Sequence, residues 1–399
     1  MKSNHIILVV FSVLIIGICA VAFCATDDDS PPPKKMIKPA FQHKQGLTCV
    51  AFSPDGTMAA TGCPNDPPNV YVWDLKTGQS IQEFDASHHV VSIGFSPDNK
   101  QIFAVSMGGM DRLEVWTIAS GEKTHEIEIP YKGVHYFCEA TFSNDGKCIA
   151  FGGVHDMKIR ILNLATKEIT ELAGHKAPVV LFSYSPDGKK LATATRGDNG
   201  WDGNITIGAD GDGSNDFDGG DGTIRIWNTE TGEEIHCIGG FEDWILSIRF
   251  TPDGKYLISA CFDGTVSMWD TKKYKLKKSF KIETEFKMQK VKDGGLMATG
   301  EQDMKNKMRR QKHYYRYKYK MHISPNCKTI LVPAEKQFEI WDIKRRKCIK
   351  KFGDGNGERL AVSPDGKLSL SSEGDWVESV VLTLWDLKKG KKIVDSTEK

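Results

Sequence analysis

Residues 244–280 read WILSIRFTPDGKYLISACFDGTVSMWDTKKYKLKKSF. Four short runs rich in β-branched and aromatic residues are divided by Pro252-Asp253-Gly254, by Asp263-Gly264 and by a polar turn after Asp270. This punctuation specifies four strands joined by tight hairpins. One such antiparallel unit has two faces to bury and cannot bury both alone, so it needs copies of itself.

The copies are present. The aspartate or asparagine of the first turn recurs at Asp55, Asp98, Asp145, Asp187, Asp253, Asn326 and Asp365, with spacings of 43, 47, 42, 66, 73 and 39. A unit of roughly 40 residues therefore repeats, and two intervals carry extra material. The third run of each unit ends at Trp73-Asp74, Trp116-Thr117, Leu162-Asn163, Trp227-Asn228, Trp269-Asp270, Trp341-Asp342 and Trp385-Asp386. In period, turn and Trp-Asp ending, the chain resembles the WD40 repeat family over residues 36–396.

The resemblance implies an all-β fold: a WD40-type β-propeller whose four-stranded blades stand radially around a channel. Seven blades are expected. Asp293-Gly294-Gly295-Leu296-Met297-Ala298-Thr299-Gly300 is similar to residues 55–62 and admits an eighth, degraded blade. Seven blades with a hairpin insert are preferred, because 33 residues separate Asp293 from Asn326 and no Gly or Pro marks two further turns. The resemblance also implies a buried hydrogen-bonded tetrad of His, Ser or Thr, Asp and Trp. The fourth unit alone offers all four, as His175, Thr193, Asp221 and Trp227. Asp156 and Asp263 stand at the same offset without a matching Gly-His, so the other blades are expected to rest mainly on packing.

With 399 residues, 40% of them hydrophobic, the chain buries an ample core, and its net charge of +1 argues against a polyanionic partner. Residues 1–25 stand apart: Lys2 precedes an apolar run from Ile6 to Phe23, and Asp27-Asp28-Asp29 follows. This is a signal peptide or a signal-anchor, cleaved or retained, and either form turns the propeller away from the cytoplasm. The expected location is extracytoplasmic, membrane-anchored or secreted. Residues 26–35 form a Pro-rich linker. The outermost strand of the last unit falls to either 36–43 or 391–395. The cysteines after the apolar run sit mostly within strands without C-x-x-C spacing, so they are expected to be buried small hydrophobes rather than zinc ligands.

Because strands alternate in direction, turns between strands one and two and between three and four share one face of the disc. Nearly all the extra material falls on the other face. It includes 196–220, 373–379 and the link 283–316. Variable loops gathered on one face of a rigid scaffold suit recognition. Trp201, Phe217, Tyr314, Tyr315 and Trp376 are the expected partner contacts, as aromatics on those loops that blade packing does not need. Asp210, Asp212, Ser214 and Asp216 alternate as the first ligands of a calcium loop do, but Asn215 stands where glycine is required and no glutamate follows at the twelfth position. Calcium on Asp210, Asp212 and Asp216 is accordingly the alternative to a solvated loop, and no other cofactor is expected. The basic, tyrosine-containing run 305–316 is a loop leading into a strand, and nucleic acid is disfavoured. Lysine clusters at 272–281, 344–351 and 388–392 fall on outer strands, where they block edge-to-edge pairing or contact an acidic membrane surface.

No G-x-S-x-G, H-E-x-x-H or phosphate-binding Gly-rich motif occurs. The expectation is a noncatalytic scaffold that binds a protein or peptide through its loop-rich face. The alternative is a propeller enzyme or calcium-dependent binder using the Asp-rich loop at the channel mouth.

Overall fold

The computed structural model describes residues 46–64, 67–108, 110–129, 139–152, 157–177, 179–195, 222–241, 243–282, 321–334, 337–353, 359–373 and 381–395. The chain divides into Met1–Lys38 and Pro39–Lys399, and the first unit lies wholly outside the described residues. Among the described residues of the second, all regular structure is β: 28 strands in seven four-stranded antiparallel sheets, each built from four consecutive strands. No described helix is long and apolar enough to cross a membrane, and the run 6–23 is not among these residues.

The seven sheets are the blades. Blade 5, read from the opening stretch, consists of Ile245–Phe250, Tyr256–Cys261, Thr265–Asp270 and Leu276–Lys281. Each third strand ends at the Asp, Asn or Thr of the Trp-Asp position, from Asp74 through Asp386. First strands contact the first strands of the next blades around a closed ring, which puts them innermost. The expected eighth-blade alternative falls in 283–320, outside the described residues.

Each blade buries its faces against its neighbours. The core is accordingly seven layers, one per interface, instead of a single centre. Between blades 4 and 5, for example, Ala192, Ala194, Ile224 and Ile226 meet Ile245, Ile248, Phe250 and Leu257. The seam between the last blade and the first is one of these layers, where Leu370, Leu382 and Leu384 pack with Leu47, Ala59 and Trp73. Lys391–Asp395 takes the outermost position of blade 7, pairing with Val381–Asp386. Among the described residues apolar contact closes the ring, with each blade keeping its own four strands, and the alternative strand 36–43 lies outside them.

The short-turn face is built the same way seven times. In the first turn a Ser or Thr hydroxyl donates to the aspartate or asparagine two residues on: Ser53 to Asp55, Ser96 to Asp98, Ser143 to Asp145, Ser185 to Asp187, Thr251 to Asp253, Ser324 to Asn326 and Ser363 to Asp365, at 2.6–2.9 Å. The same hydroxyl accepts the N–H of the second strand's first residues, as from Met58, Gln101 and Lys190. In the second turn the carboxylate or amide oxygen of the Trp-Asp position accepts backbone N–H groups, as Asp74 does from Lys76 and Thr77. The residue after that position donates to the first turn in every blade, from Leu75 to Thr57 O through to Leu387 to Lys367 O, at 2.7–3.1 Å. These bonds lock the two turns of each blade together on one face.

No disulfide joins the described cysteines. Cys63 and Cys261 are buried, and burial pushes each thiol up to about 12. Cys237 departs from the expectation of burial: it sits exposed on the outermost strand Glu234–Ile238, where one side of the sheet faces water.

Candidate functional site

In blade 4 the second strand Lys190–Thr195 carries Thr193 into the sheet interior, and the third strand Ile224–Asn228 sets Trp227 beside it. Thr193 Oγ1 accepts the Trp227 indole N–H at 2.8 Å and lies 2.8 Å from His175 Nε2. The His175 and Trp227 rings are 6.0 Å apart, and all three residues are buried. Asp221 lies outside the described residues. The cluster is a structural bolt, since a buried indole N–H and imidazole both find an acceptor or donor without water.

The other blades, expected to rest mainly on packing, carry buried polar pairing as well. Trp73, Trp269 and Trp385 donate to Thr61, Ser259 and Ser371 at 2.8–3.0 Å, so four blades carry the Trp-to-hydroxyl bond. Blades 2 and 6 use another device. There the second-strand position holds Ala104 or Val332, paired in register with Glu114 or Glu339 on the third strand. Glu339 accepts from the Trp341 indole at 2.9 Å and pairs with Lys351 at 2.7 Å. Glu114, fully buried, is held by Lys123 at 2.6 Å and by Ser87 and Ser106. The acid two residues before Trp, opposite an apolar residue on the neighbouring strand, was the legible signal for this substitution.

The partner contacts expected at Trp201, Phe217, Tyr314, Tyr315 and Trp376, and the calcium ligands at Asp210, Asp212 and Asp216, lie outside the described residues. Their attachment points are described. Thr195 ends a second strand whose partner resumes at Ile224, and Lys281 ends blade 5 before blade 6 begins at His322. Both gaps open on the face opposite the locked turns. On that same face Asn69, buried, pins the link from blade 1 to blade 2: its Nδ2 donates to Ala86 O and His88 O, and its Oδ1 accepts the Ala86 N–H.

The innermost strands add a group that the motif search missed. Two residues before each turn hydroxyl stand Ala51, Gly94, Thr141, Ser183, Arg249, His322 and Ala361. Ser183 Oγ accepts the Phe250 N–H of the next blade, so this position reaches across to a neighbouring first strand. Arg249 is accessible to solvent from this ring. Desolvation among the first strands lowers its pKa, with Cys327 opposing, yet a guanidinium stays charged at any ordinary pH. A cation on the innermost ring gives this region anion-accepting character.

The family described as WD domain, G-beta repeat matches residues 36–74, 166–207 and 232–270. Those matches coincide with repeats that the structure extends to seven. In those three stretches the chain carries WD40 repeats. Among its WD40 relatives are periodic tryptophan protein 2 of Arabidopsis thaliana, 27% identical over 231 residues, covering 57% of this chain and 22% of that protein. WD repeat-containing protein SL1-17 of Schistosoma mansoni is 26% identical over 261 residues, covering 57% of this chain and 79% of that one. SIR4-interacting protein SIF2 of Saccharomyces cerevisiae is 25% identical over 238 residues, covering 57% and 39%. The match thus spans 22% of the length of periodic tryptophan protein 2, so likeness to these WD40 proteins concerns the propeller.

Proposed function

We propose that this WD40 propeller is a noncatalytic scaffold that binds a protein or peptide through the face opposite its locked turns. The observation that carries the reading is the asymmetry between faces. Fourteen turns on one face are short and tied pairwise by backbone bonds in all seven blades, while the long connections after Thr195 and Lys281 both leave from the other. A rigid disc with its sequence length concentrated on one side suits recognition. One relative, SIR4-interacting protein SIF2, bears a name consistent with protein binding by this architecture. Export belongs to the same reading, resting on Lys2 and the apolar run 6–23.

The test is crosslinking and affinity capture with the intact chain and with a variant in which 196–220 and 305–315 are replaced by Gly-Ser turns. Partners held by the intact chain and lost by a variant with an unchanged melting profile support the reading. An identical partner set from both overturns it. Carbonate washing of membranes tests the location: retention in the pellet marks an anchor, and recovery of a shortened soluble chain marks a cleaved signal.

A further inference from the structure

The net charge of +1 conceals two opposed sectors. From the Trp-Asp position to the end of the fourth strand, blades 1–4 (74–84, 117–129, 163–172 and 228–238) hold three lysines against ten carboxylates. The same segments of blades 5–7 (270–281, 342–352 and 386–395) hold sixteen Lys or Arg against four carboxylates. Blades 5, 6 and 7 are consecutive around the ring, so the cations form one continuous sector of the rim and the locked-turn face. All of these cations except half-buried Lys350 are exposed. Eleven, including Lys272, Lys277, Lys344, Lys347, Lys388 and Lys391, make no ion pair among the described residues. In the acidic sector, by contrast, Glu126, Glu171 and Glu234 pair with Arg112, Arg160 and Arg225 of their own blades.

Protection of exposed strand edges accounts for a few charges of either sign per blade, and blade 4 meets that need with Glu230, Glu233 and Glu234. It does not account for sixteen charges of one sign on three adjacent blades. Within a screening length of about 10 Å such charges repel, and an anionic surface relieves the repulsion.

The composition of the sector selects among anionic surfaces. Fourteen of its sixteen cations are lysine, a hydrated point charge suited to diffuse attraction, and two are arginine, the residue that forks onto a single carboxylate or phosphate. No aromatic of the sector is exposed for base stacking, Tyr274 being stacked on His236 at 4.7 Å. Exposed aliphatic side chains recur on fourth strands around the ring, as at Ile81, Ile169 and Ile235, and only in blades 5–7, at Leu276, Ile349 and Ile393, 50%, 46% and 46% exposed, do they stand among unpaired lysines. Ile349 and Ile393 occupy the extra residue of a bulge opposite Trp341 and Trp385, which directs them outward. Lysines with interspersed aliphatics on a convex rim match the headgroup layer of a bilayer, where the cations meet phosphate and the aliphatics enter the interface.

We propose that the rim of blades 5–7 docks on an anionic lipid surface, leaving the opposite face free for its partner. The experiment is co-sedimentation of the full chain with phosphatidylcholine vesicles and with vesicles containing about one-third phosphatidylglycerol, across a salt series. Residues 6–23 contribute to both lipids alike, so the readout is the difference between them. A preference of about tenfold or more for the anionic vesicles at low salt, falling as salt rises, is expected. A variant with Lys272, Lys277, Lys344, Lys347, Lys388 and Lys391 each changed to Glu abolishes that preference while its thermal melt is retained. A control of equal charge change, carrying Lys76→Glu, Lys100→Glu, Lys147→Glu, Lys158→Glu, Lys167→Glu and Lys189→Glu in the other blades, keeps it. Equal binding to both vesicles overturns the proposal, as does equal loss in both variants, which reduces the effect to net charge. Retention of duplex DNA or polyglutamate without retention of anionic vesicles overturns it in favour of that polymer.

Discussion

Thr193 Oγ1 serves the Trp227 indole and the His175 ring at once, in a site without exposure to water. Replacing it by valine keeps the shape and strands two buried polar groups, each worth about 1–3 kcal/mol when unpaired. Thr193→Val is expected to lower unfolding free energy by about 2–4 kcal/mol in urea titration. The turn carboxylates make a second residue-level prediction. In Asp98, Asp145 and Asp187 the bonded Ser hydroxyl does most to hold the carboxyl below its usual range, with burial opposing and the Lys N–H two residues on assisting. A depressed native pKa means the unfolded chain binds more protons, so stability rises with pH. The contribution is complete above the unfolded value of about 3.9 and fades as pH falls through the lower native values. Urea midpoints measured from pH 6 downward should drop below about pH 4, and a combined Ser96→Ala, Ser143→Ala, Ser185→Ala variant should lose part of that dependence.

The two turns of a blade each need one residue with positive φ, and the repeat fills them unevenly. In the second turn Gly78, Gly121, Gly232 and Gly390 sit where Lys167, Tyr274 and Arg346 sit in blades 3, 5 and 6. A side chain in this conformation costs about 1–2 kcal/mol, so Lys167→Gly should leave stability unchanged or raise it by up to about 1 kcal/mol, read from the melting temperature. Gly56 and Gly264 separate conformational strain from collision. A Cβ on Gly56 meets nothing within 4 Å, whereas one on Gly264 would lie 2.4 Å from Ile282 O. Gly56→Ala should cost about 1 kcal/mol and Gly264→Ala clearly more, because Ile282 N–H bonds back to Gly264 O and the backbone cannot withdraw. The fourth strands show a further repeated device. Register shifts opposite the Trp in six blades, while blade 3, with Leu162 in its place, pairs without a shift.

Around the ring, stability depends on a seam that no hydrogen-bonded strand crosses among the described residues. Leu370 and Leu382, both fully buried, join blade 7 to the first blade through Ala59 and Trp73. Leu382→Ala should cost about 2–5 kcal/mol, as for a truncation in any well-packed core. If apolar contact alone holds the seam, hydrogen exchange in the first and last blades should accelerate together, while blades 3 and 4 change less. An effect confined to blade 7 would place the closure elsewhere.

Period, turn aspartates and Trp-Asp endings were enough to write down seven four-stranded sheets and the bounds of their third strands, because each follows from local rules: turn chemistry, strand propensity and the need of an amphipathic unit for copies. His175, Thr193 and Trp227 were legible for the same reason, as fixed offsets within one repeat. Pairings that join distant residues had no such signature. The place of 391–395 as the outer strand of blade 7 and the bulge that turns Ile349 and Ile393 outward depend on which strand lies beside which. The charged sector is the clearest case. Its lysines were visible as three separate runs, and they became one surface when the ring brought blades 5, 6 and 7 side by side. Contacts within a repeat are coded by spacing along the chain, but contacts between repeats are fixed by packing in three dimensions, which spacing does not record.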